Sequence, residues 1–112
     1  MLIYLTQYEA FLLKILEEQA AIPYANLDTE NELVIDRERQ RYQLVTVGWE
    51  GRHRVHAVTL HYDIKDGKIW IQQDQTEYGT ANDLVEMGVP KSDIVPAYLS
   101  LQRRQELDFA VA

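Results

Sequence analysis

The N-terminal segment carries apolar residues at helical spacing. They recur at intervals of three and four positions: Tyr8, Phe11, Leu12, Ile15 and Leu16. This stripe predicts an amphipathic helix that packs against a core. Thr6 and Glu9 have the spacing of a capping box, in which each side chain satisfies a free backbone N–H, so we expect the helix to begin at Thr6. Pro23 and the polar run 26–31 predict its end and a connection.

From position 33 the pattern changes to short runs of β-branched and aromatic residues, which predict strands. These runs cover 33–35, 41–49, 54–64 and 68–73. Asp66-Gly67 lies between the last two, and Asp-Gly in such a place is a strong signal for a β-hairpin. The predicted register pairs Ile64 with Ile69 and Tyr62 with Ile71 on the core face, and Asp63 with Trp70 and His61 with Gln72 on the other.

The hairpin before it is less well defined by the pattern. A four-residue loop over 50–53 best aligns Val45 and Val47 with the even-numbered core residues of the next strand, and we take this register as the prediction.

The C-terminal third predicts short helices. Thr80 can cap a helix whose Leu84, Val85 and Met87 pack inward, and Gly88 can end it in a left-handed conformation. A further turn or short helix is expected over 92–98, followed by an amphipathic tail. The predicted fold is therefore a single α+β domain over 1–112. Its N-terminal helix packs on an antiparallel four-stranded meander sheet, and the short helices lie at the C-terminal side.

The composition narrows the possible functions. The 112 residues contain no cysteine, which excludes disulfides and thiolate metal sites, and no apolar run approaches the roughly 20 residues that span a bilayer. Because the first residues also lack the features of a signal peptide, we expect a cytoplasmic protein with no membrane partner. The net charge of −7 argues against non-specific binding to nucleic acid.

The charge is unevenly distributed along the chain. Between positions 37 and 54, five arginines stand against two glutamates, a local charge of +3 that leaves −10 elsewhere: Arg37, Arg39, Arg41, Arg52 and Arg54. This segment is a candidate surface for an acidic partner or for nucleic acid.

Catalytic and metal-binding patterns are weak. In a strand, His53 and His61 would stand about 26 Å apart, too far to share a metal ion, and His56 would point the opposite way. Asp63, Asp66 and Lys68 have the acid-x-Lys spacing of some metal-dependent nucleases, but a solvated hairpin turn explains them as well. We expect no cofactor, no metal site and no catalytic residue.

The non-core face of the predicted hairpin has the composition of an interface. It places Trp70 among His61, Asp63 and Gln72, and Trp49 is near in sequence. The alternative, that a terminal helix of the same chain covers this face, is equally open.

Three segments resemble the XisI family of cyanobacteria. They are RYQLVTVGWEGRHRVHAVTLHYDIKDGKIWIQQDQTE at 41–77, TANDLVEMGVPKSDIVPAYLS at 80–100 and the terminal FAVA, within a likeness that runs from Tyr8 to Ala112. The stretch 83–86 reads DLVE where a phrase like ELVE is expected, which is a minor departure.

The resemblance implies an fdxN element excision controlling factor. Such a protein acts with a site-specific recombinase and an XisH-like protein in programmed DNA excision. It would be an accessory factor and not an enzyme, with an XisH-like partner, a possible homo-oligomer, and nucleic acid contacted only indirectly. The alternatives are direct nucleic-acid binding through the arginines at 37–54 and, third, a metal-dependent nuclease.

Overall fold

A computed structural model describes residues 2–22 and 28–112, with side chains from residue 7 onward. In chain order the elements are α1 (Leu2–Ala20), β1 (Asp28–Asp36), β2 (Arg41–Glu50), β3 (His53–Lys65), β4 (Lys68–Asp74), α2 (Ala81–Glu86), a 3₁₀ turn (Lys91–Asp93), β5 (Ile94–Val95) and α3 (Leu101–Gln105). None of the helices described combines the length and hydropathy needed to cross a membrane.

Helix α1 uses the predicted apolar stripe, with Tyr8, Leu12, Ile15 and Leu16 buried in the core. The predicted start at Thr6 was wrong, because the helix begins at Leu2. Glu9 does not close a capping box. Its carboxylate accepts a hydrogen bond from the Tyr42 hydroxyl (2.6 Å) and therefore ties the helix to the sheet. The Thr6 side chain lies outside the described side chains.

The sheet has five strands in the order β1-β2-β3-β4-β5. The antiparallel meander was predicted correctly for β1–β4, but β5 was missed, and it pairs parallel with β4. Two residues between Asp93 and Pro96 are too few to show a strand pattern. They become a strand because Ile94 and Val95 are buried beside β4.

Strand β1 is longer than the sequence pattern indicated. Residues 28–31, predicted as part of a connection, pair with the end of β2, while Pro23 and residues 26–27 lie outside the described residues. The Asn31 side chain donates to the carbonyl of Ala20 (3.1 Å) and accepts from the Thr46 hydroxyl (2.9 Å). This polar residue joins the end of α1 to the sheet.

The Asp66-Gly67 hairpin forms as predicted. Both residues have positive φ, 55° and 75°, as a type I′ turn requires. The pairs Ile64–Ile69, Tyr62–Ile71 and Asp63–Trp70 are confirmed. The pairing of His61 with Gln72 was wrong, because a bulge shifts the register and pairs His61 with Gln73.

The register predicted for β2 and β3 is confirmed between the turn and Val45, because Val45 and Val47 pair with the even-numbered residues Val58 and His56, but the prediction that this face is the core was wrong. Glu50 pairs with His53, so the loop holds only Gly51 and Arg52, and a bulge follows between Leu44 and Val45. The even-numbered residues of β2 face the core instead: Tyr42, Leu44 and Thr46 are buried. Val45 and Val47 therefore lie on the opposite face.

The C-terminal elements contribute further residues to the core. Leu84 is buried, Val85 and Met87 pack against the core, and Gly88 ends α2 with φ 107°, as predicted. Thr80 precedes α2 but makes no capping bond, because its hydroxyl is bonded to Tyr62 and Asp74. The predicted turn over 92–98 begins with the 3₁₀ turn and continues as β5. The tail adds α3, and the Ala110 N–H donates to the Ile94 carbonyl (2.9 Å).

Candidate interaction surface

We call the side of the sheet that packs on α1 the inner face and the opposite side the outer face. Alternation along β2 sends Tyr42 and Leu44 inward and Val45, Val47 and Trp49 outward. No described helix buries these outer-face side chains. Trp49 is 46% exposed, and Val45 and Val47 are half-buried. The alternative of a covering terminal helix concerned the β3–β4 part of this face, where Trp70 and Gln72 are half-buried.

The strand register arranges the outer face in rungs across β1, β2 and β3. At the end near the β2–β3 turn, one rung consists of Asp28, Trp49 and Arg54, and the next of Glu30, Val47 and His56. Val45 and Val58 continue the apolar strip from there. Each of these two rungs runs from an acid on the edge strand, across an apolar residue, to a nitrogen-bearing side chain.

Both tryptophans of the outer face lie under cations. The Arg54 guanidinium is 5.4 Å from the Trp49 ring centroid and also donates to the Gly48 carbonyl (3.3 Å). The Lys65 ammonium is 4.6 Å from the centroid of Trp70, whose indole N–H donates to the Lys65 carbonyl (3.2 Å). These contacts hold the aromatic rings in defined positions at the surface.

A polar cluster around Asp63 occupies the β3–β4 side of the outer face. Asp63 is only 7% exposed, and one of its oxygens contacts His61 Nε2 (2.8 Å) and Arg41 Nε (3.3 Å). Its other oxygen accepts a hydrogen bond from the Gln72 side chain (3.1 Å). The structure thus brings His61, Asp63 and Gln72 together beside Trp70, as the sequence suggested. The bulge that breaks the predicted His61–Gln72 pair is where Gln72 reaches Asp63.

The five arginines do not form one patch. Arg37, Arg39 and Arg41 lie at the start of β2, and Arg52 and Arg54 lie at its far end. Arg54 pairs with Trp49, so about eight residue steps along β2, roughly 26 Å, separate Arg41 from Arg54. Several are engaged: Arg37 pairs with Glu9 (3.4 Å) and Arg39 with Asp36 (3.2 Å). The backbone N–H of Arg39 donates to Asp36 and is the main reason that the pKa of this carboxyl is lowered.

The residues of the nuclease alternative do not converge on a common site. The oxygens of Asp63 are occupied by its three neighbours, Asp66 lies in the turn, and the Lys68 ammonium donates to the Ala112 carbonyl (2.7 Å). Within residues 2–22 and 28–112, no three histidines or carboxylates are placed to hold a metal ion.

Two surface clefts could admit a small ligand. The first, of about 420 Å³, lies between α1 and the segment after α2, where the Tyr8 hydroxyl donates to Asp93 (2.6 Å). The second, of about 550 Å³, is lined by the loop that follows β4. The Asp74 carboxylate organises that loop by accepting from the backbone N–H and hydroxyl of both Thr76 and Thr80.

Sequence reasoning missed the acidic edge of this surface. Asp28, Glu30 and Glu32 alternate with Thr29, Asn31 and Leu33, which is the period of a strand. That alternation was a usable signal, but low strand propensity at these positions favoured a loop.

Comparison with known proteins places the whole chain in one group. The family model for the XisI protein matches residues 3–111. Among curated proteins, none matches. An XisI-like protein from Anabaena variabilis is 42% identical with a TM-score of 0.88, over 96% of this chain and 99% of that one. The fdxN element excision controlling factor XisI from the same organism is 29% identical with a TM-score of 0.85, over 97% and 99%. On this match across nearly its full length, the chain belongs to the XisI family.

Proposed function

We propose that this protein is a non-enzymatic accessory factor that controls the programmed excision of a DNA element. Membership of the XisI family and the likeness to an fdxN element excision controlling factor support a role in excision. The accessory role is supported by the outer face, where ordered tryptophans lie among charged groups rather than around a reactive centre. Aromatic and arginine side chains are enriched in protein interfaces.

The partner in this proposal is an XisH-like protein, and the site is the β3–β4 side of the outer face. Trp70 supplies apolar area there, and the cluster of Asp63, His61 and Gln72 supplies polar groups already held in place. A preorganised surface loses less side-chain entropy on binding. The Asp63 carboxylate has little room for a metal ion, because its oxygens already contact Arg41, His61 and Gln72.

Direct DNA binding is the weaker alternative. Affinity for DNA depends on several cations that neutralise adjacent phosphates, and the net charge of −7 opposes it. The two arginine groups lie at opposite ends of β2, and Arg37, Arg39 and Arg41 each pair with a carboxylate. DNA contact is therefore proposed to be indirect, through the partner.

The test is co-purification with the XisH-like protein followed by calorimetric titration. We expect a stable complex that Trp70→Ala weakens at least about tenfold, a loss typical of an interface hot spot. The matched control is Tyr78→Ala, because Tyr78 is exposed in the loop before α2, away from the outer face. Equal affinities for the two variants would remove Trp70 from the interface.

A reporter assay tests the biological role. Cells that carry the recombinase, the XisH-like protein and an excisable element should excise it only when this protein is also present, and less often with Trp70→Ala. Salt-sensitive, sub-micromolar DNA binding by the isolated protein would favour the nucleic-acid alternative. Magnesium-dependent DNA cleavage that disappears in Asp66→Ala would favour the nuclease.

A further inference from the structure

The order of charges is self-complementary at the end of the outer face near the β2–β3 turn. In the two rungs near the β2–β3 turn, an acid on β1 and a cation or hydrogen-bond donor on β3 flank an apolar residue on β2. The rungs are Asp28, Trp49, Arg54 and Glu30, Val47, His56. A two-fold rotation about an axis along β2 exchanges the β1 and β3 positions and leaves the β2 residues facing their own copies.

We propose that the outer face over β1–β3, at the end near the β2–β3 turn, binds a second copy of this chain through that two-fold axis. Sheets that pack face to face keep their strand directions within about 30°, so the strands of the two copies remain nearly aligned. Asp28 of each copy then lies over Arg54 of the other, and Glu30 lies over His56. The same surface serves both subunits, as in the closed two-fold dimers that dominate homo-oligomers.

The alternative two-fold axis in the plane of the interface is excluded by charge. An axis perpendicular to the strands would place β1 over β1 and set the acidic side chains Asp28, Glu30 and Glu32 against their own copies. Like charges opposed across an interface are strongly unfavourable. The distribution of charge therefore selects the axis along β2.

The centre of the proposed interface has the right chemistry. Trp49 and Val34 are 46% and 47% exposed, and Val45, Val47 and Val58 lie between them. Charged residues occur on both sides of this strip and not within it. An apolar centre with a polar rim is the composition of a homodimer interface.

The proposed dimer leaves β4 uncovered. Because the axis runs along β2, β3 lies over β1 of the other copy and β4 projects past its edge. Trp70 and Gln72 therefore remain accessible to another protein in the dimer. The two interfaces are separate, so loss of one by mutation does not entail loss of the other.

The test is the oligomeric state of the purified full chain, measured by sedimentation equilibrium with Asp28→Arg, Arg54→Asp and the double variant. We expect the parent to be a dimer. Each single variant should raise the dissociation constant of the dimer at least about tenfold, because each substitution places like charges opposite one another across the interface. The double variant exchanges the charges within the rung and should restore the parent value to within about threefold. Glu86→Arg on α2, exposed and away from the sheet, is the control for a change of two charge units.

A further variant tests the interface without changing the charged positions, in case the substitutions there disturb folding. Val47→Glu places a carboxylate beside the axis, opposite its own copy, and should yield monomers whose thermal unfolding stays cooperative. A monomeric parent would overturn the proposal, as would a double variant no better than the single ones, or equal weakening by Glu86→Arg. If the parent is monomeric but Val47→Glu abolishes binding of the XisH-like protein, the face belongs to that partner instead.

Discussion

The two faces of the sheet are made by the same strands, but one is buried and the other is exposed to solvent. On the inner face, Tyr42, Leu44 and Leu60 are at most 2% exposed beneath α1. On the outer face, Val45, Val47 and Trp49 alternate with them along β2 yet remain accessible to solvent. Strand β2 presents apolar side chains to both faces, so hydrophobicity alone does not decide burial. Burial is decided by helix α1, which covers the inner face. The outer face has no such cover and is the surface available for partners.

The faces also differ in the hydrogen-bond partners of their polar groups. Inner-face polar groups bond within the chain: the Thr46 hydroxyl bridges Asn31 and Thr59, and Tyr62 bonds to Thr80. On the outer face, Asp63 gathers partners from β2, β3 and β4, while the acidic residues of β1 face outward at the edge. Burial forces polar groups to be satisfied locally, whereas an open face can keep charge for a partner.

The largest expected effect comes from truncating the inner face. Ile71→Ala should lower the free energy of unfolding by about 2–4 kcal/mol, because Ile71 is fully buried and the change leaves a cavity. Tyr62→Ala and Ile69→Ala should behave alike. Val47→Ala on the outer face should cost about 1 kcal/mol or less, and His53→Ala almost nothing. Chemical denaturation measures all of these, and equal midpoints for Ile71→Ala and the parent would remove Ile71 from the core.

The next effect concerns the junction of β1 with β2. Gly48 has φ 147°, and a Cβ there would overlap the Asp28 carbonyl oxygen. Gly48→Ala must push β1 away, and we expect a loss of more than about 2 kcal/mol. Gly51→Ala is the control. Gly51 is also left-handed (φ 60°) but faces open space, so only the conformational cost of about 1–2 kcal/mol should appear. Equal losses would show that β1 yields without cost.

An intermediate effect is expected at the Asp63 cluster. Asp63→Ala removes a nearly buried carboxylate that contacts Arg41, His61 and Gln72, and should cost about 1–3 kcal/mol, the usual range for hydrogen bonds to charged groups. Asp108→Ala is the matched control, because that carboxylate is exposed and 3.8 Å from its lysine. Loss of the same size for both would mean that the cluster adds no stability to the outer face.

The smallest expected effect is a difference in the pH dependence of stability between a buried and an exposed tyrosine. Burial raises the pKa of Tyr62 well above its ordinary value near 10. A raised pKa in the folded state means that this contribution to stability is complete below pH about 10 and is lost as the pH rises further. Tyr62→Phe should cost about 0.5–1.5 kcal/mol at neutral pH and flatten the fall in stability above pH 10. Tyr78→Phe, at an exposed position, should leave that slope unchanged.

Local patterns in the sequence predicted the parts of the fold that local physics controls. The stripe of α1, the Asp66-Gly67 hairpin and the end of α2 at Gly88 were all predicted correctly, because each depends on neighbours within a few residues. The grouping of His61, Asp63 and Trp70 on one face followed from the hairpin alternation.

What the tertiary structure decided depends on contacts between distant residues. A bulge in β3 leaves Leu60 facing the core and turns Val58 to the outer face, and β5 is a strand only because β4 lies beside it. Residues 28–31 join the sheet because β2 offers them partners and Gly48 lets them approach. The sequence by itself determined the secondary structure that each segment favours and the net charge. The two bulges, the rungs of the outer face and the separation of the arginines were decided by tertiary structure, because strand pairing is selected by the burial of a whole face.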